Sequence, residues 1–210
     1  VSTKKLIDEK TLSSFKIRSL VLTYPEEECK LVKDMNYQDE IDYIVTHEKR
    51  NDFIKNLTLS LNSNTLVLFQ FVEKHGSVLY DLIKSNTDRQ VFYVYGGTDT
   101  QTREQIREIT EKEKDAIIVA SYGTFSTGIN IRNLHNIVFS SPSKSRIRTL
   151  QSIGRGLRRS ESKDSAVLYD IADDITYKSK RNFTLNHFME RINIYNEEQF
   201  DYEIKRIKLK

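Results

Sequence analysis

The stretch DAIIVASY, residues 115–122, indicates the fold class most directly, because five consecutive apolar residues stand in it without any polar interruption. Such a run is typical of a strand buried on both faces, as strands are in a parallel sheet. Four further strands are predicted: TLVLFQF (65–71), QVFYVYGG (90–97), NIVFSS (136–141) and AVLYDIA (166–172). Helical patterns separate them, so the sequence predicts an α/β fold with an open parallel sheet and helices packed on it.

Helices are expected between and before these strands, at residues 37–47, 48–61, 73–86 and 100–114. Asp99 or Thr100 is the expected N-cap of the last of them, since both side chains can accept a hydrogen bond from the first turn. The flanks are assigned more simply. Residues 1–36 are predicted as a connector or edge strand (KIRSLVLTYP), residues 37–175 as the α/β lobe, and residues 176–210 as a helical basic tail.

Composition excludes several classes of protein. The formal net charge of +3 argues against a uniformly basic nucleic-acid coat, and no apolar run approaches the roughly 18 residues that span a bilayer, so no membrane partner is expected. The single cysteine, Cys29, favours a reducing, cytoplasmic interior. The four histidines lack metal-ligand spacing, and no metal site is predicted. The chain begins with Val1, which indicates a processed product or a fragment.

The positive charge is local. QSIGRGLRRS, residues 151–160, belongs to a segment from Lys144 to Arg159 that holds six basic residues and no acidic one. If Ser145 caps a helix here, one stripe is apolar and the neighbouring stripe carries Arg148, Gln151, Arg155 and Arg158. Guanidinium groups match phosphate oxygens in shape and charge, which favours an anion site over the alternative of a solvated basic face.

Three loops follow predicted strands and are rich in small or hydroxylated residues. They are GGTDT (96–100), SYGTFSTGIN (121–130) and SPSKSR (141–146). In an open parallel sheet, ligands bind beyond the carboxyl ends of the strands, where such loops offer N–H and hydroxyl groups to phosphates. Each loop taken alone is also compatible with a simple tight turn.

These segments resemble motifs of the superfamily-two helicases, in family order. QSIGRGLRR resembles the sixth motif, a Gln-x-x-Gly-Arg-x-x-Arg pattern, and SYGTFSTGINI the fifth, with asparagine where aspartate is commoner, as in the Swi2/Snf2-like branch. LVLFQFVEKHGSVLYDLI resembles the fourth motif, and VYGGTDTQTRE the segment after it. The phosphate loop and the acidic box of the first lobe are absent from the sequence, so the chain resembles the second, C-terminal RecA-like lobe.

The resemblance implies half of the motor of an ATP-dependent DNA helicase that acts on branched DNA in recombination and repair. ATP would lie between this lobe and an N-terminal RecA-like lobe of the same protein, which would bind most of the phosphates and Mg²⁺. Arg155 and Arg158 would reach the γ-phosphate, with Gln151 orienting them. Gly128, Asn130 and Gly154 are the expected nucleotide-binding residues.

The resemblance also implies a surface that holds a DNA strand without reading its bases. The expected contacts are Gly96, Gly97, Thr98, Arg103, Ser121, Thr124, Thr127, Lys144, Arg146 and Arg148. Lys144, Arg146 and Arg148 are equally compatible with a solvated helix start, and Lys178, Lys180 and Arg181 either contact duplex or solvate the tail. Two other functions remain open: a non-catalytic nucleic-acid-binding or interaction lobe, and an RNA helicase lobe.

Overall fold

A computed structural model describes residues 14–127, 133–142 and 165–210. Seven strands lie in these residues: β1 (Ser14–Thr23), β2 (Thr65–Phe69), β3 (Val91–Val94), β4 (Ile117–Ser121), β5 (Asn136–Phe139), β6 (Ser165–Asp174) and β7 (Asp201–Lys208). The helices are α1 (Glu26–Val32), α2 (Tyr37–Thr46), α3 (Glu48–Ser60), α4 (Ser77–Lys84), α5 (Thr100–Lys112), α6 (Tyr122–Thr127) and α7 (Phe183–Glu197). A π-helical turn, Val72–Gly76, leads directly into α4. No helix in these ranges combines the length and the apolar character needed to span a membrane.

The strands form one sheet in the order β3-β4-β2-β5-β6-β1-β7. All the pairings are parallel, which confirms the predicted sheet. The predicted helices at 37–47, 48–61 and 100–114 are present within a residue or two of their expected bounds. Asp99 is the N-cap of α5, and its carboxylate accepts hydrogen bonds from the backbone N–H and the hydroxyl of Thr102.

Burial on both faces explains the unbroken apolar runs. In β2, Leu66 and Leu68 pack into a core on one face of the sheet, whereas Val67 and Phe69 pack into a core on the other. Helices α5 and α7 contribute to the first core, and α2, α3 and α4 contribute to the second. Each fully buried side chain of this size stabilises the fold by about 1.5–3 kcal/mol, which explains why every position of the strand after Thr65 is apolar.

The sequence-based placement of β1 as an edge strand or connector is wrong. β1 pairs with β6 along its whole length and with β7 on its other side. Leu20 and Leu22 enter the core on one face, while Ile17 and Val21 pack on the opposite face. An interior strand covered on both faces accounts for these apolar side chains better than an edge position does.

The predicted helical tail is correct for α7 and wrong for the last residues. DYEIKRIK, residues 201–208, forms β7, which among the described strands pairs only with β1 and therefore lies at the edge of the described sheet. Most of its side chains are exposed, and charged side chains are a common feature of edge strands because they discourage further pairing. The predicted connector, lobe and tail all contribute strands to the same sheet.

Candidate nucleotide and nucleic-acid interface

Because the strands are parallel, their carboxyl ends lie at one side of the sheet, which we call the carboxyl edge. It is formed by the residues that follow β1 to β6, namely Tyr24, Gln70, Tyr95, Tyr122, Ser140 and Ile175. The segment expected to carry the nucleotide-binding arginines begins directly after Pro142, at this edge, and the described chain resumes at Ser165, the first residue of β6. Ser140, which directly follows β5, therefore lies on the side where ligands bind in open α/β sheets.

Nine of the predicted site residues lie outside the described residues. They are Gly128, Asn130, Lys144, Arg146, Arg148, Gln151, Gly154, Arg155 and Arg158. Their roles stay predictions. The remaining predicted contacts belong to two loops of the carboxyl edge, one after β3 and one after β4.

The loop after β3 is a tight turn that Arg103 holds in place. Its guanidinium Nη2 donates to the carbonyl oxygen of Gly96 at 3.1 Å, and the hydroxyl of Thr98 accepts from the N–H of Tyr95 at 3.1 Å. A Cβ at Gly97 would lie 2.7 Å from the Tyr95 ring, whereas a Cβ at Gly96 would meet nothing within 4 Å. A side chain at position 97 would therefore have to displace the Tyr95 ring, and both glycines are exposed.

The loop predicted at residues 121–130 is, over the described residues 121–127, the last residue of β4 followed directly by the helix α6. The hydroxyl of Ser121 donates to that of Thr124 at 2.7 Å and accepts from the Thr124 N–H at 3.3 Å. Both residues are buried, with 9% and 4% of their surface exposed. Their hydroxyl groups thus hold the first turn of α6 in place, and Thr127 is the last residue of this helix. The turn that Arg103 holds and the first turn of α6, which Ser121 holds, follow neighbouring strands, since β3 pairs with β4.

A buried polar network behind the carboxyl edge was not predicted. The Ser141 hydroxyl accepts from the Gln70 N–H at 3.0 Å and lies 2.8 Å from Nδ1 of His75. Nε2 of His75 lies 3.1 Å from Oδ1 of Asn51, whose amide nitrogen donates to a backbone carbonyl. Since Oδ1 can only accept, Nε2 carries the ring proton and Nδ1 accepts from Ser141. This connects α3, the π-helical turn, β2 and the end of β5.

The order Ser141, His75, Asn51 has the connectivity of a nucleophile, a base and an orienting residue. All three side chains are buried, with at most 3% of each residue exposed, so no substrate reaches them. The network is therefore structural. It holds the residues from which the arginine-bearing segment departs, and the Tyr122 hydroxyl adds a bond to the Ser141 carbonyl at 3.3 Å.

An ion pair ties α3 to the ends of β6 and β1. The Arg50 guanidinium donates to both carboxylate oxygens of Asp173, at 2.8 and 3.0 Å, and the Tyr24 hydroxyl donates to the same carboxylate at 2.6 Å. Burial, followed by the charge of Asp173, raises the pKa of Tyr24 well above its usual value. A second buried carboxylate, Asp170, binds Arg191 of α7 from the middle of β6. Two buried ion pairs thus attach helices to opposite faces of this strand.

Burial, and then the charge of Arg50, lowers the pKa of His75 well below its usual value. Below pH 6.5 the unfolded chain therefore binds a proton that the folded chain does not. The free energy of unfolding is expected to decrease as the pH is lowered. From pH 7.5 to pH 5 this one group should remove at most about 2 kcal/mol, the value set by the ordinary histidine pKa of the unfolded chain. Urea unfolding at several pH values measures the loss.

The matched variant for this prediction is His75→Gln, which retains hydrogen-bonding groups but does not titrate. Its free energy of unfolding should depend less on pH over the same range, whatever its value at pH 7.5. His187→Gln, a change at a half-buried histidine of α7, is the control. A His75→Gln profile as steep as that of the wild type would show that His75 is not held neutral.

Comparison with known proteins identifies the class of protein. Residues 48–160 match the helicase conserved C-terminal domain, and because this match covers more than half of the chain, the chain belongs to that family. The predicted superfamily-two helicase C-terminal lobe and its RecA-like α/β fold are confirmed. Another solved structure, the DNA-bound restriction-modification enzyme LlaBIII, has a TM-score of 0.62 at 14% identity, covers 97% of this chain and 16% of that enzyme, and shares the fold alone.

The particular relatives are more informative. The ATP-dependent DNA helicase UvsW of Enterobacteria phage T4 is 40% identical over 222 residues, which include all of this chain and 44% of UvsW. The crystal structure of T4 UvsW matches with a TM-score of 0.83 at 39% identity, over 95% of this chain and 43% of that one. The putative ATP-dependent helicase IRC3 of Saccharomyces cerevisiae is 28% identical over 176 residues, 79% of this chain and 24% of IRC3. The chain spans less than half the length of these relatives.

Proposed function

We propose that this chain is the second motor lobe of an ATP-dependent DNA helicase that acts on branched DNA in recombination and repair. The observation that carries the proposal is the 40% identity to UvsW over the whole chain, since UvsW is named an ATP-dependent DNA helicase. A first lobe with the phosphate loop and the acidic box would be part of the same protein and would complete the nucleotide site.

In this proposal Arg155 and Arg158 contact the γ-phosphate of ATP, and Gln151 orients them. The donor set of this lobe consists of guanidinium, amide and hydroxyl groups, which fit phosphate oxygens, whereas Mg²⁺ prefers carboxylate ligands that the first lobe would supply. ATP supplies the phosphoryl group whose hydrolysis drives the motion. The buried Ser141 supports this role, because the Gln70 N–H and the His75 ring hold it beside the start of the segment.

The arginines can meet the nucleotide only when the two lobes close around it. Binding of ATP would therefore favour the closed arrangement, and loss of the γ-phosphate would release it. Gly128, Asn130 and Gly154 would approach the nucleotide through their backbones. Such a cycle converts hydrolysis into movement of one lobe relative to the other.

The proposed track for the DNA strand uses the two loops of the carboxyl edge. The exposed backbone of Gly96 and Gly97 can meet phosphates, whereas Thr98 would contribute from a half-buried position, with its N–H already donating to the Tyr95 carbonyl. The Arg103 guanidinium keeps that turn in one conformation. Ser121, Thr124 and Thr127 would contribute mainly backbone groups, because the first two hydroxyls bind each other. Lys144, Arg146 and Arg148 would add electrostatic affinity. Contacts to sugar and phosphate carry no sequence information, which suits a translocating motor.

The proposal is tested by measuring phosphate release from ATP. This chain alone is expected to hydrolyse no ATP, and the full-length protein with its first lobe is expected to hydrolyse ATP faster when branched DNA is added. Linear duplex, single-stranded DNA and RNA of the same length provide the comparison. Turnover by the isolated chain would contradict the half-motor assignment. Stimulation by RNA and not by DNA would identify RNA as the substrate.

A further inference from the structure

A short turn follows β6 at the carboxyl edge and carries basic residues at its tip. Tyr177 and Lys180 exchange two backbone hydrogen bonds, of 3.1 and 3.0 Å, across Lys178 and Ser179. Lys178 has a positive φ of 53°, a conformation in which turns of this kind prefer Gly, Asn or Asp. Local turn chemistry therefore does not account for a lysine at this position.

Four cations gather around this turn, and we call them the basic cluster: Lys33, Lys178, Lys180 and Arg181. The ammonium groups of Lys33 and Lys178 each lie 5.5 Å from the centroid of the Tyr177 ring, which holds both near the turn. Asp34 lies 3.5 Å from the Lys33 ammonium and 3.8 Å from that of Lys180. Among the described residues it is the one acid in ion-pair contact with the cluster, so positive charge is left in excess.

Two exposed aromatic residues follow members of the basic cluster closely in the chain: Tyr37 comes four residues after Lys33, and Phe183 two residues after Arg181. Tyr37 and Phe183 are 39% and 45% exposed, and their ring centroids are 6.0 Å apart in an edge-to-face arrangement. The buried carboxylate of Glu40 accepts from the N–H groups of Phe183 and Thr184, at 2.9 and 2.7 Å. This anchors the first turn of α7, so the Phe183 ring is presented to solvent from a held backbone.

We propose that the basic cluster and the Tyr37–Phe183 pair form a second contact for DNA, at a place where bases are unpaired. The cations bind phosphates without regard to sequence, and the exposed rings stack on an unpaired base. The contact lies after β6 and beside α1, on the same edge as the proposed track but toward the opposite end of the sheet from β3. It rests on the proposed function, which supplies DNA as the ligand.

The charge contribution is tested with the full-length protein carrying Lys178→Gln, Lys180→Gln and Arg181→Gln together. Binding to a forked DNA with single-stranded arms is followed by fluorescence anisotropy across a series of salt concentrations. Each lost phosphate contact reduces the slope of log K against log salt by about 0.7–0.9, so the slope should fall by about 2–3. Affinity at 0.1 M salt should fall about 10- to 100-fold.

The matched control removes three exposed lysines near the opposite edge of the sheet: Lys84→Gln, Lys112→Gln and Lys114→Gln. It changes the net charge equally and should keep the wild-type slope. Equal slopes for the two triple variants would overturn the inference while leaving the proposed function in place. A wild-type protein that binds no DNA would overturn both.

The stacking contribution is tested with Phe183→Leu, which keeps an apolar side chain at the start of α7. Its affinity for the forked DNA should fall about 5-fold or more, because stacking on an aromatic ring is lost. Its affinity for a blunt duplex should not change. Wild-type affinity for the fork, or an equal loss on both DNAs, would overturn the stacking contact.

Discussion

Arg155→Ala in the full-length protein is expected to lower kcat for ATP hydrolysis about 10³- to 10⁵-fold, and Arg158→Ala to have an effect of the same order. Phosphoryl transfer spreads negative charge over the equatorial oxygens in the transition state, and a guanidinium placed there stabilises this charge more than it stabilises bound ATP. The loss should therefore fall on kcat more than on KM. Steady-state phosphate release with saturating DNA measures both constants.

The control for this prediction is Arg159→Ala, which removes a neighbouring guanidinium that the Gln-x-x-Gly-Arg-x-x-Arg pattern does not include. Its kcat should stay close to that of the wild type. Arg155→Lys keeps the charge but loses the planar fork, so it should recover little activity. Wild-type turnover in Arg155→Ala or Arg158→Ala would remove that residue from the proposed role, and unchanged unfolding curves would show that the fold is intact.

The strands inside the lobe could be predicted because their sequence records burial on both faces. In β2 and β4 every residue is buried, and the apolar runs reflect this directly. β7 has no such apolar run. Its side chains are mostly exposed, and what holds it is backbone pairing with β1, which a pattern of Glu, Lys and Arg does not reveal. The position of β1 depends on that unseen neighbour, so its interior place was missed as well.

The candidate site divides in the same way. Gln151, Arg155 and Arg158 could be selected because their spacing is short and repeats a known pattern. The Ser141–His75 bond joins residues 66 positions apart, and the Arg50–Asp173 pair joins residues 123 positions apart. No local spacing predicts such contacts, since only the strand order brings them together. A buried histidine and a buried arginine therefore look like ordinary surface residues in the sequence.

Among single changes in the buried network and the buried ion pairs, replacing Asp173 should cause the largest loss of stability. Asp173→Asn leaves the Arg50 charge without its partner, and both side chains are at most 1% exposed. Water cannot replace the carboxylate there, and Nη1 of Arg50 already lacks a hydrogen-bond partner among the described residues. Breaking a buried pair from one side costs about 3–5 kcal/mol, which for a chain of this size lowers Tm by roughly 6–20 °C.

The neighbouring carboxylate provides a matched comparison for Asp173→Asn. Asp174 binds Arg206 at 2.7 Å, but the Arg206 side chain is 65% exposed, so Asp174→Asn should cost at most about 1 kcal/mol. The double variant Arg50→Leu with Asp173→Leu removes both charges, and it should recover much of the loss because no uncompensated ion is left in the interior. Urea unfolding of the three variants separates the explanations. If Asp173→Asn were no more destabilising than Asp174→Asn, the pair would not hold α3 to the carboxyl ends of β1 and β6. If the double variant were as unstable as Asp173→Asn, the cost would come from lost hydrogen bonds and packing rather than from the buried charge.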